Sequence, residues 1–521
     1  MFDALGIGDV LDQATQQHPA MRDLTVGEAV KATVLHGLGF VNHALSLVPR
    51  FFHQKPTARL VSPRVRPAQR HEDALGRAFD TLYAYGVTAR YSLIAATAAK
   101  RLDLTPRCAH LDRTSFHVDG RYNRDEEPEG QVVHSTKGYS RDHRPDLHQV
   151  MLALSVAHQA GIPLLMKPRS GHSSDPRECG QVVKDHVAPL HTTYGTPSLV
   201  AESARYHADK LQQLAETKRQ WITRVPATLR EAHAARAQAD PQAMAPRTPG
   251  SRSQGLTSTS GGVAQRGLLV DSAHRHAQAQ HTVDTQRLTQ GQREVAAFQQ
   301  LRRRPFACAA DAPQALATLT QGVHATFLHE RAGRATPRSG TRGRPRPGAQ
   351  PTHTLDTIDG VLASSLATRA PLVDQQSCFL LATHALDETR LPPTELLVHY
   401  KDQAHAERGF RFLKDPQFLA SSLYLKKPER LMALLMVMTV CLFVYAALAY
   451  RIRTALKEQE ATFPNQKGQR VQHPTARWIF QYFVGIHLLC LPGQWPVVLN
   501  LTEEHRHLLQ LLGKPYERLY R

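Results

Sequence analysis

The chain has 521 residues, with 64 Lys plus Arg against 45 Asp plus Glu and a formal net charge of +19. That length allows about two to four domains with a real core, and that charge makes a polyanion the default partner. The six cysteines, Cys108, Cys179, Cys308, Cys378, Cys441 and Cys490, include no Cys-x-x-Cys pair or zinc-finger spacing. This argues against a metal ribbon or a disulfide framework and fits a reducing cytoplasm. The opening MFDALGIGDVLDQ has no basic stretch leading into an apolar core, so no signal peptide is expected.

Residues 1 to about 100 read as helical, with one run from Leu24 to Leu47 after Asp23 and another from Asp73 to Ala99. Arg64, Arg66, Arg70, Arg77 and Arg90 of this module could contact phosphates or form an ordinary solvated surface. From Cys108 the texture becomes β-like: CAHLDRTSFHV, QVVHSTKGYS, then LHQVMLALSVAH and IPLLMKP joined by Gln159-Ala160-Gly161. SLVAES and QWITRVP predict further strands around a helix from about His207 to Thr217, giving a mixed α/β core. Residues 236–262 and 337–351 are rich in Ala, Pro, Ser and Gly and read as flexible basic linkers. Helical periodicity runs between them from Arg293 to Arg331, FLLATHAL at 379–386 reads as a strand, and the chain from Leu396 onward reads as helical. Leu431 to Tyr450 carries no charge over twenty residues, the length of a bilayer span, and is expected to be a buried core helix. The expected domains are a helical one at 1–104, two parts of a catalytic core at 105–235 and 391–521, and an insertion at 236–390.

The sharpest local pattern is YKDQAHAERGFRFLK at 400–414. On one continuous helix Tyr400, Gln403, Glu407 and Lys414 fall within an arc of roughly 60°, presenting a phenol, an amide, a carboxylate and an ammonium together. Phe410 and Leu413 would seat the helix, and Asp415-Pro416 would stop it. The plain alternative is a solvated face with an ion pair. In CAHLDRTSFHV, alternation puts His110, Asp112, Thr114 and Phe116 on one strand face. A buried acid there must be compensated, by a metal or by Arg and backbone donors. Glu202 follows a short apolar strand that could project it into a crevice, and Asp175 and Asp209 rank below it. Three such acids suit two-metal phosphoryl chemistry, in which oxygen ligands hold two Mg²⁺ (or Mn²⁺) about 3.5–4 Å apart. Asp142, Arg144 and Asp146 are expected to build a turn with internal ion pairs. The histidines show no H-E-x-x-H spacing, and Trp221, Trp478 and Trp495 are expected in the core.

Tyr400-x2-Gln403-x3-Glu407-x6-Lys414 resembles the Tyr-x2-Arg-x3-Glu-x6-Lys (YREK) signature of bacterial DDE-class insertion-sequence transposases. HLDRTSFHVDG, GYSRDHRPDLHQV, GIPLLMKPRSG and LVAESARY resemble, in order, the segments around that group's first acid, the hairpin after it and the second acid. The resemblance implies a ribonuclease-H-like catalytic core with a large insertion, an N-terminal helical DNA-binding domain and a helical C-terminal region. It implies Asp112, Glu202 and Glu407 as catalytic, metal-holding acids, with Tyr400, Gln403 and Lys414 on DNA. It also implies two Mg²⁺ or Mn²⁺ ions, double-stranded DNA (terminal inverted repeats and target) as partner, a homodimer on DNA, and a cytoplasmic, nucleoid-associated location without a membrane. Two departures stand out: Glu202 replaces the group's Asp, and Gln403 replaces its Arg. The first adds a methylene where metal geometry sets the rate, and the second removes a planar phosphate-binding cation. A catalytically impaired, transposase-derived DNA-binding protein is therefore the alternative.

Overall fold

The computed structural model describes the chain outside residues 17–23, 42–44, 66–71, 119–131, 138–143, 172–188, 196–197, 202–205, 207–210, 213–214, 216–219, 307–309, 339–349, 351, 419–421, 424, 426, 492–495 and 521. It divides into two units. The first is Met1–Thr223, Ser260–Val263 and Asp387–Arg521, and the second is Arg224–Thr259 and Ala264–Leu386.

Six helices open the first unit: α1 (Ile7–Ala14), α2 (Val26–Gly37), α3 (Val48–Phe52), α4 (Thr57–Leu60), α5 (Glu72–Ala84) and α6 (Val87–Arg101). Thr25 starts α2 through a reciprocal cap, its hydroxyl accepting from Glu28 N at 3.1 Å while Glu28 Oε2 accepts from Thr25 N at 2.9 Å. The expected second run is cut in two at Gly86, whose φ of 81° suits a residue without a side chain. Arg64 and Arg90 each bond within the module. Arg64 Nε donates to Glu28 Oε1 at 3.0 Å, and Arg90 Nη1 donates to Ala14 O at 2.9 Å. Arg66 and Arg70 lie outside the described residues.

Five strands follow: β1 (Cys108–Val118), β2 (His148–Ala157), β3 (Pro163–Ser170), β4 (Ser198–Ala201) and β5 (Gln220–Arg224). They lie in the order β3-β2-β1-β4-β5, with β2 antiparallel to β1 and β3, β4 parallel to β1, and β5 parallel to β4. Of QVVHSTKGYS, residues 132–137 are described, and among them only Thr136 makes a bridge, to Gln149. Most of the helix expected at 207–217 lies outside the described residues. Arg144 and Asp146 do form the expected ion pair, at 2.8 Å.

The second unit contains α7 (Arg230–Ala237), β6 (Ala245–Thr248), β7 (Ser251–Ser260), β8 (Val263–Ser272), α8 (Ala273–Arg303), α9 (Asp311–Gln321), β9 (Thr326–Arg338), β10 (His353–Ser364), α10 (Arg369–Ser377) and β11 (Phe379–Thr383). The linker expected at 236–262 is instead sheet, since β6, β7, β8 and β11 are neighbours in the order β11-β8-β7-β6. Composition misled here, because short Ser and Thr side chains fit a pleated surface and the ladder satisfies their backbone. Gly261 and Gly262, with φ of 56° and 76°, form the two-residue turn in which both central residues need positive φ. The helical stretch expected over 293–331 ends earlier, and from Thr326 the chain is β9, paired antiparallel with β10. Of the second expected linker, 339–349 lies outside the described residues. Glu294 of α8 is buried and accepts from His324 N, Ala325 N, Thr326 N and the Thr326 hydroxyl, which ties the helix to the start of β9.

The chain then forms α11 (Pro393–Lys401), α12 (Ala404–Leu413), β12 (Ser422–Leu423), α13 (Pro428–Glu458), β13 (Phe463–Pro464), β14 (Arg470–Val471), α14 (Ala476–Tyr482), β15 (His487–Leu489), β16 (Val497–Leu499), α15 (Glu503–Leu512) and α16 (Lys514–Glu517). The expected all-helical end is thus interrupted by two small hairpins, β13–β14 and β15–β16. The uncharged stretch 431–450 lies in α13, and 89% of its most apolar window is buried. It packs on α2, α5, α6, α12 and β3, so the N-terminal helices and the even-numbered face of β1 and β2 share one apolar core. Trp221 is buried, Trp478 is partly buried with its indole donating to Pro464 O at 2.7 Å, and Trp495 lies outside the described residues.

Candidate active site

Asp112 sits in the middle of β1, and only 3% of it is exposed. Its Oδ1 accepts from Arg113 N at 2.7 Å. Alternation places its side chain on the face shared with Phe116 and Val118, and both of these join Ala406, Phe410 and Leu413 of α12 in the core. Asp112 is therefore on the face that α12 covers.

Strand register adds a second observation. Among the described residues, β4 pairs with β1 from Cys108↔Ser198 to Leu111↔Ala201. On the same side of β1, β12 pairs only at His117 and Val118. Asp112 is the next β1 residue after Leu111, the partner of Ala201 in the last described pair. The residue that follows Ala201 in the sequence is Glu202, which lies outside the described residues.

Glu407 lies in α12 and is exposed, while the helix buries Ala406, Gly409, Phe410 and Leu413. Lys414, two turns further on, closes the helix with Nζ 5.9 Å from the centre of the Phe116 ring. Seven helical residues span about 10.5 Å, and the four β1 residues from Asp112 to Phe116 span about 13 Å. His405, at the other end of α12, lies close enough to His110 to help depress its pKa. Helix and strand therefore run in the same direction. Among the described residues, no three His, Cys, Asp or Glu side chains cluster as metal ligands.

The expectation of one continuous helix over 400–414 needs correcting. At Gln403, His405 and Ala406 the backbone N–H groups bond to the carbonyls of Tyr400, Asp402 and Gln403, three residues back instead of four. This tighter turn, with about three residues per turn, separates α11 from α12 and changes the angular phase between them. Tyr400 therefore belongs to α11 and Gln403 to the turn, both half-buried, and only Glu407 and Lys414 remain in phase two turns apart. Lys414 itself is the cap, one residue before the expected Asp415-Pro416 stop.

A buried polar chain, invisible in sequence because its members come from three elements and the turn after β2, adjoins this face. Cys108 Sγ lies 3.2 Å from His399 Nδ1 and 3.7 Å from His110 Nε2, and His399 Nε2 lies 3.2 Å from Glu395 Oε1. Burial first, then neighbouring histidines, holds His110 at a pKa of about 3. Burial likewise lowers His158 and His399 and brings His405 down to about 4, and it pushes the Cys108 thiol up. These imidazoles are therefore neutral at physiological pH and add no positive charge to the Asp112 face. Cations stand on the outer side instead, where Lys401, Arg408 and Arg411 are exposed.

Residues 105–444 match the family described as Transposase DDE domain, and residues 1–96 match a domain of unknown function (DUF4277). The chain belongs to the DDE transposase family. Asp112, Glu202 and Glu407 all fall inside the family's span. No curated protein matches the chain. Among solved structures, the cryo-EM piggyBac transposase synaptic complex with hairpin DNA aligns with 92% of this chain and 79% of that one, at 9% identity and a TM-score of 0.39. A likeness that loose carries no argument about this transposase.

Proposed function

We propose that this DDE transposase cuts and joins DNA at the ends of an insertion sequence of the bacterial YREK-signature group, acting as two copies on DNA in the cytoplasm. The observation that carries the reading is the buried carboxylate of Asp112, set on the central strand one residue beyond the last described pair between β1 and β4, on the face covered by the helix that bears Glu407. Ala201 stands opposite Leu111, one residue before each of the acids Glu202 and Asp112, which supports Glu202 as the third. The order β3-β2-β1-β4-β5, with a large segment between β5 and α11, supports a ribonuclease-H-like core carrying an insertion.

The carboxylate oxygens of Asp112, Glu202 and Glu407 form a hard donor set that fits Mg²⁺ or Mn²⁺, whereas the softer Cys108 and His110 are turned towards each other. When bound, two such ions supply an activated attacking oxygen and offset the charge on the departing one. Asp112 is anchored in the sheet, so its position costs little reorganisation, and Glu407 can be reached from solvent by DNA. Lys414 and Tyr400 meet phosphates beside the scissile bond, with Lys401, Arg408 and Arg411 holding the backbone further out. Water attacks first and frees a 3′-OH at the element end, and that hydroxyl then attacks target DNA.

The test is nicking of a labelled inverted-repeat duplex with Mg²⁺ or Mn²⁺. Asp112→Asn and Glu407→Gln are expected to lower the rate by about a thousandfold while gel-shift binding survives. Unchanged nicking in either variant would remove the residue from the proposed set. Glu202 and Gln403 favour a second reading, a protein that binds element ends without cutting them. Under that reading the wild type binds but does not nick, and Glu202→Asp restores cleavage.

A further inference from the structure

The hairpin β15–β16 stands apart from the proposed chemistry. Its register pairs His487 with Leu499, Leu488 with Val498 and Leu489 with Val497. Leu489, Val497 and Leu499 are 42%, 51% and 39% exposed, and Val484 and Leu491 beside them are 76% and 46% exposed. Together they offer on the order of 400 Å² of apolar surface, a size that on a monomer usually marks a contact site. The base of the hairpin is fixed: Asn500 Nδ2 donates to Gly485 O at 3.0 Å, and Phe483 and Leu501 pack into the C-terminal apolar cluster. A two-stranded ribbon alone is marginally stable in water.

Charge selects the partner. Between Arg477 and Glu503 there is no Asp, Glu, Lys or Arg, in a chain where 21% of residues are charged and the net charge is +19. DNA or an acidic protein would be drawn to cations, and this stretch of the chain has none. A second copy brings the same +19 and is repelled wherever its charges meet their own kind, so two copies can approach closely only through an uncharged surface that matches itself. We propose that β15–β16 is the surface through which two copies of this chain associate, the apolar face of one hairpin against that of the other about a twofold axis. This specifies the contact for the two-copy assembly proposed above and rests on that part of the reading alone. The area is below the standard of about 800 Å² per partner, which sets an expected Kd on the order of 10 μM.

The full chain is tested without DNA or metal, so failure here leaves the cutting reading untouched. Sedimentation equilibrium should show a monomer–dimer balance. The double variant Leu489→Lys, Val497→Lys should weaken it at least tenfold while circular dichroism and melting stay as in the wild type. Cys490 is exposed beside Leu489 and Leu491, so a short bismaleimide should link the two copies, and Cys490→Ser should abolish the link. A wild type that stays monomeric at ~200 μM, well above the expected Kd, would overturn the proposal. A dimer indifferent to the two lysines would do the same, as would a monomer that uses the patch to bind phosphatidylcholine vesicles.

Discussion

Gly161 tests whether the turn between β2 and β3 sets the position of α12. Its φ is 67°, and a Cβ built there would stand 2.9 Å from His405 Cβ and 3.3 Å from His405 O. Gly161→Ala therefore carries about 1 kcal/mol for the left-handed backbone and about 1–3 kcal/mol for the overlap. The contact is with backbone and Cβ atoms, which cannot rotate away, so α12 itself must shift, and Glu407 lies only two residues beyond His405. A displacement approaching 1 Å at a reacting group costs on the order of a hundredfold in rate. Melting should fall by about 5 °C, and metal-dependent nicking should fall by much more than the lost stability explains at 25 °C. The neighbouring Ala160, at φ 58°, supplies the opposite sign: Ala160→Gly should be neutral or stabilising by up to about 1 kcal/mol. Wild-type melting and nicking in Gly161→Ala would refute the claim that this turn positions the helix.

Glu294→Ala should destabilise the second unit by about 3 kcal/mol, read by hydrogen exchange at Ala325 and Thr326, because it strands buried backbone N–H groups. Those donors outweigh burial and hold the Glu294 carboxyl at about 2, below the ordinary value of 4.5. Its contribution to stability is therefore complete above about pH 4.5 and is lost as pH falls through about 2. Glu294→Gln should remove that pH dependence, as followed by melting across the same window. Lys414→Ala should weaken binding to every DNA sequence alike and reduce the slope of log K against log salt by about 1, measured by fluorescence anisotropy. Arg430 bonds both oxygens of Asp80, at 2.8 and 2.7 Å, and joins α13 to α5. Asp80→Asn should therefore lower the melting temperature by a few degrees.

How far the sequence could be read depended on whether a signal was local. Alternation in CAHLDRTSFHV fixed β1 and the face of Asp112, because a pleat sends successive side chains to opposite sides whatever packs on them. The apolar run 431–450 announced a buried helix, and the order of motifs announced the family. The strands over 245–260 stayed hidden because weak Ser and Thr preferences become sheet only when a neighbouring strand completes the ladder. The Gly261-Gly262 turn was the one local clue to them.

The amino-acid order alone determined the basic character of this transposase and the strand carrying Asp112, since each follows from composition or short-range periodicity. Tertiary structure decided the rest. It broke the 400–414 helix at Gln403 and brought Cys108, His110 and His399 together from elements nearly 300 residues apart. Those outcomes depend on which surfaces meet, and pairing and packing energies between distant segments leave no periodic trace in either segment by itself.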